Sequence, residues 1–267
     1  MELVEVAPGV RLAAVERGSG PAVVLVAGFG MDHQVWQRQL DGLAGSHRVI
    51  CIDQRGHGAS DKPADGYAVE NLAGDLAAAM RSLDASAATL VGWSFGGQAA
   101  FHLAATSPDL VSRLVLVGSN GVRASRSADF PFGREPGPMI DALVADEERD
   151  RTAARRTTIA SGFASPPDGA LLDRLVEISL QMPTHAATAC YVSMLTGDLV
   201  ADIPHVEQPV LQLIGADDPV HSAKGARWLA ERLPDSALVE LPGCGHYPMF
   251  EQPAAFDAAL AAFLDRG

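Results

Sequence analysis

Six short, almost unbroken apolar runs recur along the chain: Pro21–Ala27, Val49–Asp53, Ala88–Gly92, Leu114–Gly118, Val210–Gly215 and Ala237–Leu241. Each ends in, or is followed at once by, Gly, Asp or Pro. A strand with one wet face alternates apolar and polar residues, so continuous apolar runs predict strands covered on both faces. Between them the periodicity becomes helical at His33–Leu43, Val69–Leu83, Gly97–Thr106, Ala223–Leu233 and Pro253–Leu264. Strand and helix in alternation give βαβ units and a parallel sheet. Two further segments, Leu3–Ala7 and Val10–Val15, flank Pro8-Gly9 and read as an antiparallel hairpin. The expected fold is therefore α/β, a mostly parallel eight-stranded sheet with helices on both faces.

One region breaks the alternation. From Gly121 to His205 no run reads as a strand, and Pro131, Pro136, Pro138, Pro166, Pro167 and Pro183 divide it into short helical pieces. We expect a core domain made of residues 1–120 and 206–267 and a helical insertion over 121–205. Within the insertion, Glu147 and Arg151 stand at i,i+4 in a dense charge run, which predicts a solvated helix face.

Composition removes several function classes. The 267 residues carry 20 Lys plus Arg against 33 Asp plus Glu, a net charge of −13 that repels phosphate backbones and anionic membranes, so no nucleic-acid partner is expected. The 48% hydrophobic and 20% charged residues are those of an ordinary folded protein. Cys51, Cys190 and Cys244 fit neither a disulfide framework nor a zinc site and point to a reducing compartment. The N-terminal MELVEVAPGV lacks a basic and then apolar leader, so the cytoplasm is the expected location. The uncharged stretch between Asp84 and Asp109 is long enough to raise a membrane span, but Thr89, Ser94, Gln98 and His102 interrupt it and predict a buried strand and helix instead.

The sharpest local signal is Gly92-Trp93-Ser94-Phe95-Gly96-Gly97, a G-x-S-x-G set between the strand at Ala88–Gly92 and a helix. A strand turning sharply into a helix leaves the serine in strained dihedrals with its hydroxyl exposed, and glycines two before and two after avoid clashes. A serine hydroxyl needs a base to take its proton, and the base needs a carboxylate to orient it. Both follow later strands: Ala216-Asp217-Asp218-Pro219-Val220 after Val210–Gly215, and Cys244-Gly245-His246-Tyr247-Pro248 after Ala237–Leu241.

This order of Ser, Asp and His, each after a strand, resembles the α/β-hydrolase superfamily over essentially the whole chain, with the insertion at the position of that family's helical cap. The resemblance implies Ser94 as nucleophile, His246 as base and acid, and Asp218 as the orienting acid, because relatives with G-x-x-D at this strand end use that aspartate; Asp217 is the reserve. It also implies an oxyanion hole from the backbone N–H groups of Phe95 and Phe29. Ala27 departs from the His-Gly that many relatives carry before this loop. Asp53-Gln54-Arg55-Gly56-His57-Gly58-Ala59-Ser60 resembles a structural D-x-R-G-x-G-x-S turn, in which Asp53 and Arg55 are expected to pair.

The remaining histidines form no metal-binding spacing, and no P-loop or G-x-G-x-x-G has the required context, so neither metal nor cofactor is expected. Trp93, Met182 and apolar insertion residues such as Phe130, Phe132, Met139, Phe163 and Met194 are candidates for contact with a small, apolar, ester-like substrate. The expected function is a serine hydrolase of carboxylic esters or lactones acting through an acyl-enzyme. Two alternatives rest on resemblance: a cofactor-free perhydrolase or haloperoxidase, suggested by Asp53–Pro63, and a ligand receptor that keeps a hydrolase triad, suggested by Gly28–Trp36.

Overall fold

The computed structural model describes residues 1–266. Its strands are β1 (Glu2–Ala7), β2 (Val10–Arg17), β3 (Ala22–Val26), β4 (Arg48–Ile52), β5 (Ala88–Trp93), β6 (Val111–Val117), β7 (Val210–Gly215) and β8 (Ser236–Leu241). They form one eight-stranded sheet in the order β1-β2-β4-β3-β5-β6-β7-β8. β1 and β2 form the expected antiparallel hairpin, β2 pairs antiparallel with β4, and β3 to β8 run parallel. Parallel strands bring all their C-terminal ends to one edge, where open α/β sheets bind ligands.

Alternation along each strand feeds two cores. Val24, Val26, Ile50, Leu90, Leu114 and Leu116 face one side, against Leu76 and Met80 of α2 (Val69–Ser82) and Phe101 of α3 (Phe95–Thr106). Val23, Leu25, Val49, Val91, Val115 and Leu213 face the other, against Leu40 of α1 (Gln37–Leu43) and, beyond the later strands, Phe256 and Leu260 of α9 (Pro253–Leu264). This is why the runs read as continuously apolar: odd and even positions are both buried. Among the described residues no helix is long and apolar enough to cross a membrane.

Between β6 and β7 lie α4 (Pro136–Gly162), α5 (Gly169–Ser179), α6 (Thr184–Thr196) and a 3₁₀ turn at Val200–His205. The expectation of short pieces cut by prolines is corrected here. Pro136 and Pro138 start α4 instead of breaking it, because the first-turn N–H groups have no helical partner to lose. The 27-residue helix is instead kinked at Asp150 (φ −157°, ψ 86°), whose carboxylate accepts from the Ala153 N–H at 3.0 Å and so starts a second helical segment. The chain then completes the sheet through α7 (Ala223–Ala230), β8, α8 (Pro248–Glu251) and α9.

Candidate active site

The serine turn is built by close backbone approach. Ser94 sits between β5 and α3 at φ 54°, ψ −119°, a conformation side chains rarely adopt, at a cost of about 1–3 kcal/mol that the surroundings must offset. A Cβ on Gly92 would lie 2.6 Å from the Gly96 carbonyl oxygen, and one on Gly96 would lie 2.5 Å from that of Ala27. Only hydrogen fits at either place. The Ser94 N–H donates to Val117 O at 2.9 Å, and its carbonyl accepts from Gly97 N and from Ser119 Oγ, both at 2.9 Å, which locks the turn.

The β7 and β8 loops bring the other two groups to it. His246 Nε2 lies 2.9 Å from Ser94 Oγ, and His246 Nδ1 lies 2.9 Å from Asp218 Oδ2. The other oxygen of Asp218 accepts from the N–H groups of Val220 (2.8 Å) and His221 (2.9 Å). Burial alone would raise the Asp218 carboxyl, but the charge and hydrogen bond of His246, with the contribution of His221, outweigh it and hold the group below the usual carboxylate range. Asp217 is exposed and makes no contact with the imidazole, so the geometry separates the two aspartates that sequence left competing. With Nδ1 facing the carboxylate, Nε2 faces the serine hydroxyl, an arrangement in which an Nδ1–H tautomer can accept a proton at Nε2.

Several residues that hold this loop were not foreseen. The Trp93 indole N–H donates to the His246 carbonyl at 2.9 Å, and the His246 N–H donates to Gly162 O at the end of α4 at 2.7 Å. Glu251 accepts from the N–H groups of Gly245 (3.0 Å), Tyr247 (3.0 Å) and Ala164 (2.8 Å). His221 stacks on His246 with centroids 5.6 Å apart and planes at 14°, and burial pushes His221 down to about 4. The Asp-Pro turn that precedes it gives a sequence signal for a carboxylate but none for a second imidazole.

Above the serine, a Cβ on Gly28 would meet Ser94 Cβ at 2.8 Å, so the Gly28-Phe29-Gly30 loop rides directly on Ser94. Among the described residues the Phe29 N–H has no protein acceptor, and the Phe95 N–H opens α3, where first-turn donors have no helical partner and the dipole favours negative charge. Gln54 supports the loop, its amide donating to Ala27 O at 2.8 Å. The expected Asp53–Arg55 pair does not form. Arg55 instead grips Asp75 of α2 with two bonds of 2.7 and 2.8 Å, while Asp53 accepts from the N–H groups of His33 (2.7 Å) and Ala59 (3.0 Å). Asp32, His33 and Asp53 cluster within 4.8 Å, and these oxygens are engaged by Gln34, Gln181 and the loop amides.

A cavity of about 620 Å³ opens over Ser94 and His246, roofed by α4 and α6. Of the candidate contacts, Trp93, Met139 and Met194 line it, together with Leu143, Ile159 and Tyr191, whereas Phe130, Phe132 and Phe163 do not. Nor does Met182: it is fully buried in the core that includes Ala186, Ala187 and Cys190 of α6, where a flexible apolar side chain packs as readily as in a pocket. The solvated-face reading of Glu147 is also overturned. Glu147 is 1% exposed and binds Arg155, 2% exposed, through bonds of 2.7 and 3.0 Å, with Arg151 only at 3.5 Å.

Comparison with known proteins gives the same fold and a family. A family model described as "alpha/beta hydrolase fold" matches residues 21–253. The chain is 31% identical over 249 residues to a pimeloyl-[acyl-carrier protein] methyl ester esterase of Nitrosomonas europaea, covering 92% of this chain and 96% of that one. Its structure superposes on an esterase from Exiguobacterium antarcticum with TM-score 0.94 at 24% identity, covering 98% of each chain. It likewise matches a bromoperoxidase from Bacillus anthracis with TM-score 0.93 at 22% identity, covering 98% of this chain and 99% of that one. At such identities the two structures speak for the fold alone. Through the family match and the curated relative, the chain belongs to the alpha/beta hydrolase fold family and is an enzyme of that hydrolase type.

Proposed function

We propose that the protein is a serine hydrolase that cleaves a carboxylic ester or lactone through an acyl-enzyme. The observation that carries this reading is the unbroken chain of 2.9 Å contacts from Ser94 Oγ through His246 to Asp218 at the floor of an apolar cavity. The ester-cleaving activity named for the relative from Nitrosomonas europaea supports the same bond type.

In this mechanism His246 Nε2 takes the Ser94 proton as Oγ attacks the carbonyl carbon. The negative charge that develops on the carbonyl oxygen is met by the N–H groups of Phe29 and Phe95, each worth ~3–4 kcal/mol in the transition state. Asp218 stabilises the imidazolium and stays ionised. His246 then protonates the leaving alkoxide; water, deprotonated by the same imidazole, releases the acid and restores Ser94. Residues 121–205 act as a lid whose apolar side chains select the acyl or alcohol group, with Met139, Met194 and Leu143 on the cavity wall in support. The three free, buried cysteines support a reducing, cytoplasmic setting.

Mixing the protein with an excess of p-nitrophenyl acetate tests the reading: one equivalent of p-nitrophenol should appear in a burst, followed by steady turnover, and both should vanish in Ser94→Ala. A burst without further turnover would favour the ligand-receptor alternative, and unchanged turnover in the variant would end the serine mechanism.

A further inference from the structure

Glu147 and Arg155 are eight residues apart on one helix, a rise of ~12 Å if α4 were straight, too far for a two-pronged pair. The kink at Asp150 folds the helix back and lets them meet. Both are almost completely buried, and Arg155 borders the cavity with Glu147 packed behind it. Buried ion pairs often contribute little net stability, since desolvation offsets their attraction, so the reason for this one lies in what it holds.

What it holds is the loop above the serine. The Arg155 guanidinium lies 4.8 Å from the centre of the Phe29 ring, whose own ring stacks on Tyr191 of α6 at 4.3 Å and 25°. Phe29 is thus sandwiched between two helices of the insertion. The next residue is Gly30, at φ 73°, where a Cβ would lie 2.8 Å from Arg155 Nη1. Arg155 Nη1 also donates to Ser179 O at 3.2 Å, tying the guanidinium to the end of α5. Glu147 fixes the plane of the fork, the fork fixes Phe29–Gly30, and the loop rests on Ser94 below.

We propose that the Glu147–Arg155 pair is a positioning device for the oxyanion loop, through which the inserted helices set the place of the Phe29 N–H over Ser94. This deepens the serine-hydrolase reading and rests on it. Arg155 acts through Phe29 and does not itself touch the reacting atoms. Its removal should therefore weaken binding of the tetrahedral state and leave ground-state binding alone.

The test uses the full-length double variant Glu147→Leu/Arg155→Met, which replaces the pair by apolar groups of similar volume so that no unpaired charge is buried. Thermal unfolding verifies that it folds. An alkyl trifluoromethyl ketone, which adds to the serine and forms an oxyanion, is compared with the matching methyl ketone, which binds without adding. We expect kcat and trifluoromethyl ketone affinity to fall together by about ten- to a hundredfold, with KM and methyl ketone affinity within about twofold of wild type. Wild-type kcat and trifluoromethyl ketone affinity in the folded variant would overturn the proposal. Should the double variant not fold, Arg155→Lys keeps the charge but loses the fork; it should show the same split, and wild-type behaviour there would overturn the proposal equally. A wild-type protein that does not prefer the trifluoromethyl ketone would count against the serine-hydrolase reading instead.

Discussion

The sheet edge and the inserted helices build opposite walls of one cavity by different rules. At the sheet edge Ser94, Asp218 and His246 each follow a strand within one to five residues, so strand order alone brings them together once the sheet is formed. In the insertion, position depends on a kink, a buried ion pair and packing between helices far apart in sequence. On the proposed function, chemistry is therefore written in local motifs and substrate selection in long-range contacts. This is the division expected when loops and insertions vary on a constant scaffold.

The largest expected effect lies at the sheet edge. Asp218→Asn should lower kcat by on the order of 10⁴ by disturbing the imidazole tautomer, whereas Asp217→Asn should leave it within a few-fold. Steady-state kinetics on an aryl ester measures both. Comparable losses in the two would mean that the loop, and not one carboxylate, is what matters.

Within the insertion the pairs divide by burial. Glu147→Gln leaves Arg155 charged and buried without its partner and should cost ~3–5 kcal/mol of stability. Asp173→Asn removes the exposed partner of Arg156 and should cost at most ~1 kcal/mol. Urea denaturation of the two variants, analysed with a common slope, reads the contrast. Equal costs would show that burial does not govern these pairs.

How much of this was legible in the sequence follows the same line. The two-face burial of the parallel strands produced the apolar runs, and the Ser94 turn announced itself because its glycines are forced by contacts of 2.5 and 2.6 Å. The insertion concealed itself for a physical reason. The i,i+4 spacing of Glu147 and Arg151 holds at 3.5 Å, but the kink at Asp150 also brings Arg155 to 2.7 Å and buries the carboxylate, which no spacing rule announces. Met182 lies in the core because a methionine before a proline fits a core as well as a pocket. Asp53 and Arg55 were paired on proximity in sequence, whereas Arg55 reaches across to Asp75. Glu251 and His221 carried no motif: their partners are backbone amides and a stacked ring, which leave no spacing rule.

Acid should act on the sheet-edge region. Burial pushes both His57 and His221 down to about 4, while His185 and His205 of the insertion are exposed. Between pH 6.5 and about 4 the unfolded chain binds more protons at these two sites than the folded chain, so stability falls as pH falls through that window. The depressed Asp218 contributes separately, its stabilisation being lost only at more acid pH, below the ordinary carboxylate value. His57→Gln should therefore shrink the stability lost between pH 7 and pH 5 by ~2 kcal/mol, as read by urea denaturation at each pH. An unchanged pH dependence would mean that His57 is charged in the folded protein.

The smallest effect expected is one of selectivity. Met139→Trp narrows the cavity under α4 and should depress turnover of octanoyl relative to acetyl aryl esters by about tenfold. Equal losses on both esters in a folded variant would separate the insertion from substrate choice.

The central claim, that the sheet edge presents one activated serine, is tested most directly by intact mass and peptide mapping after reaction with a fluorophosphonate. The account predicts a single adduct per chain on the peptide containing Ser94, absent in Ser94→Ala and strongly slowed in His246→Ala. An adduct on another serine, or undiminished labelling of Ser94→Ala, would contradict it.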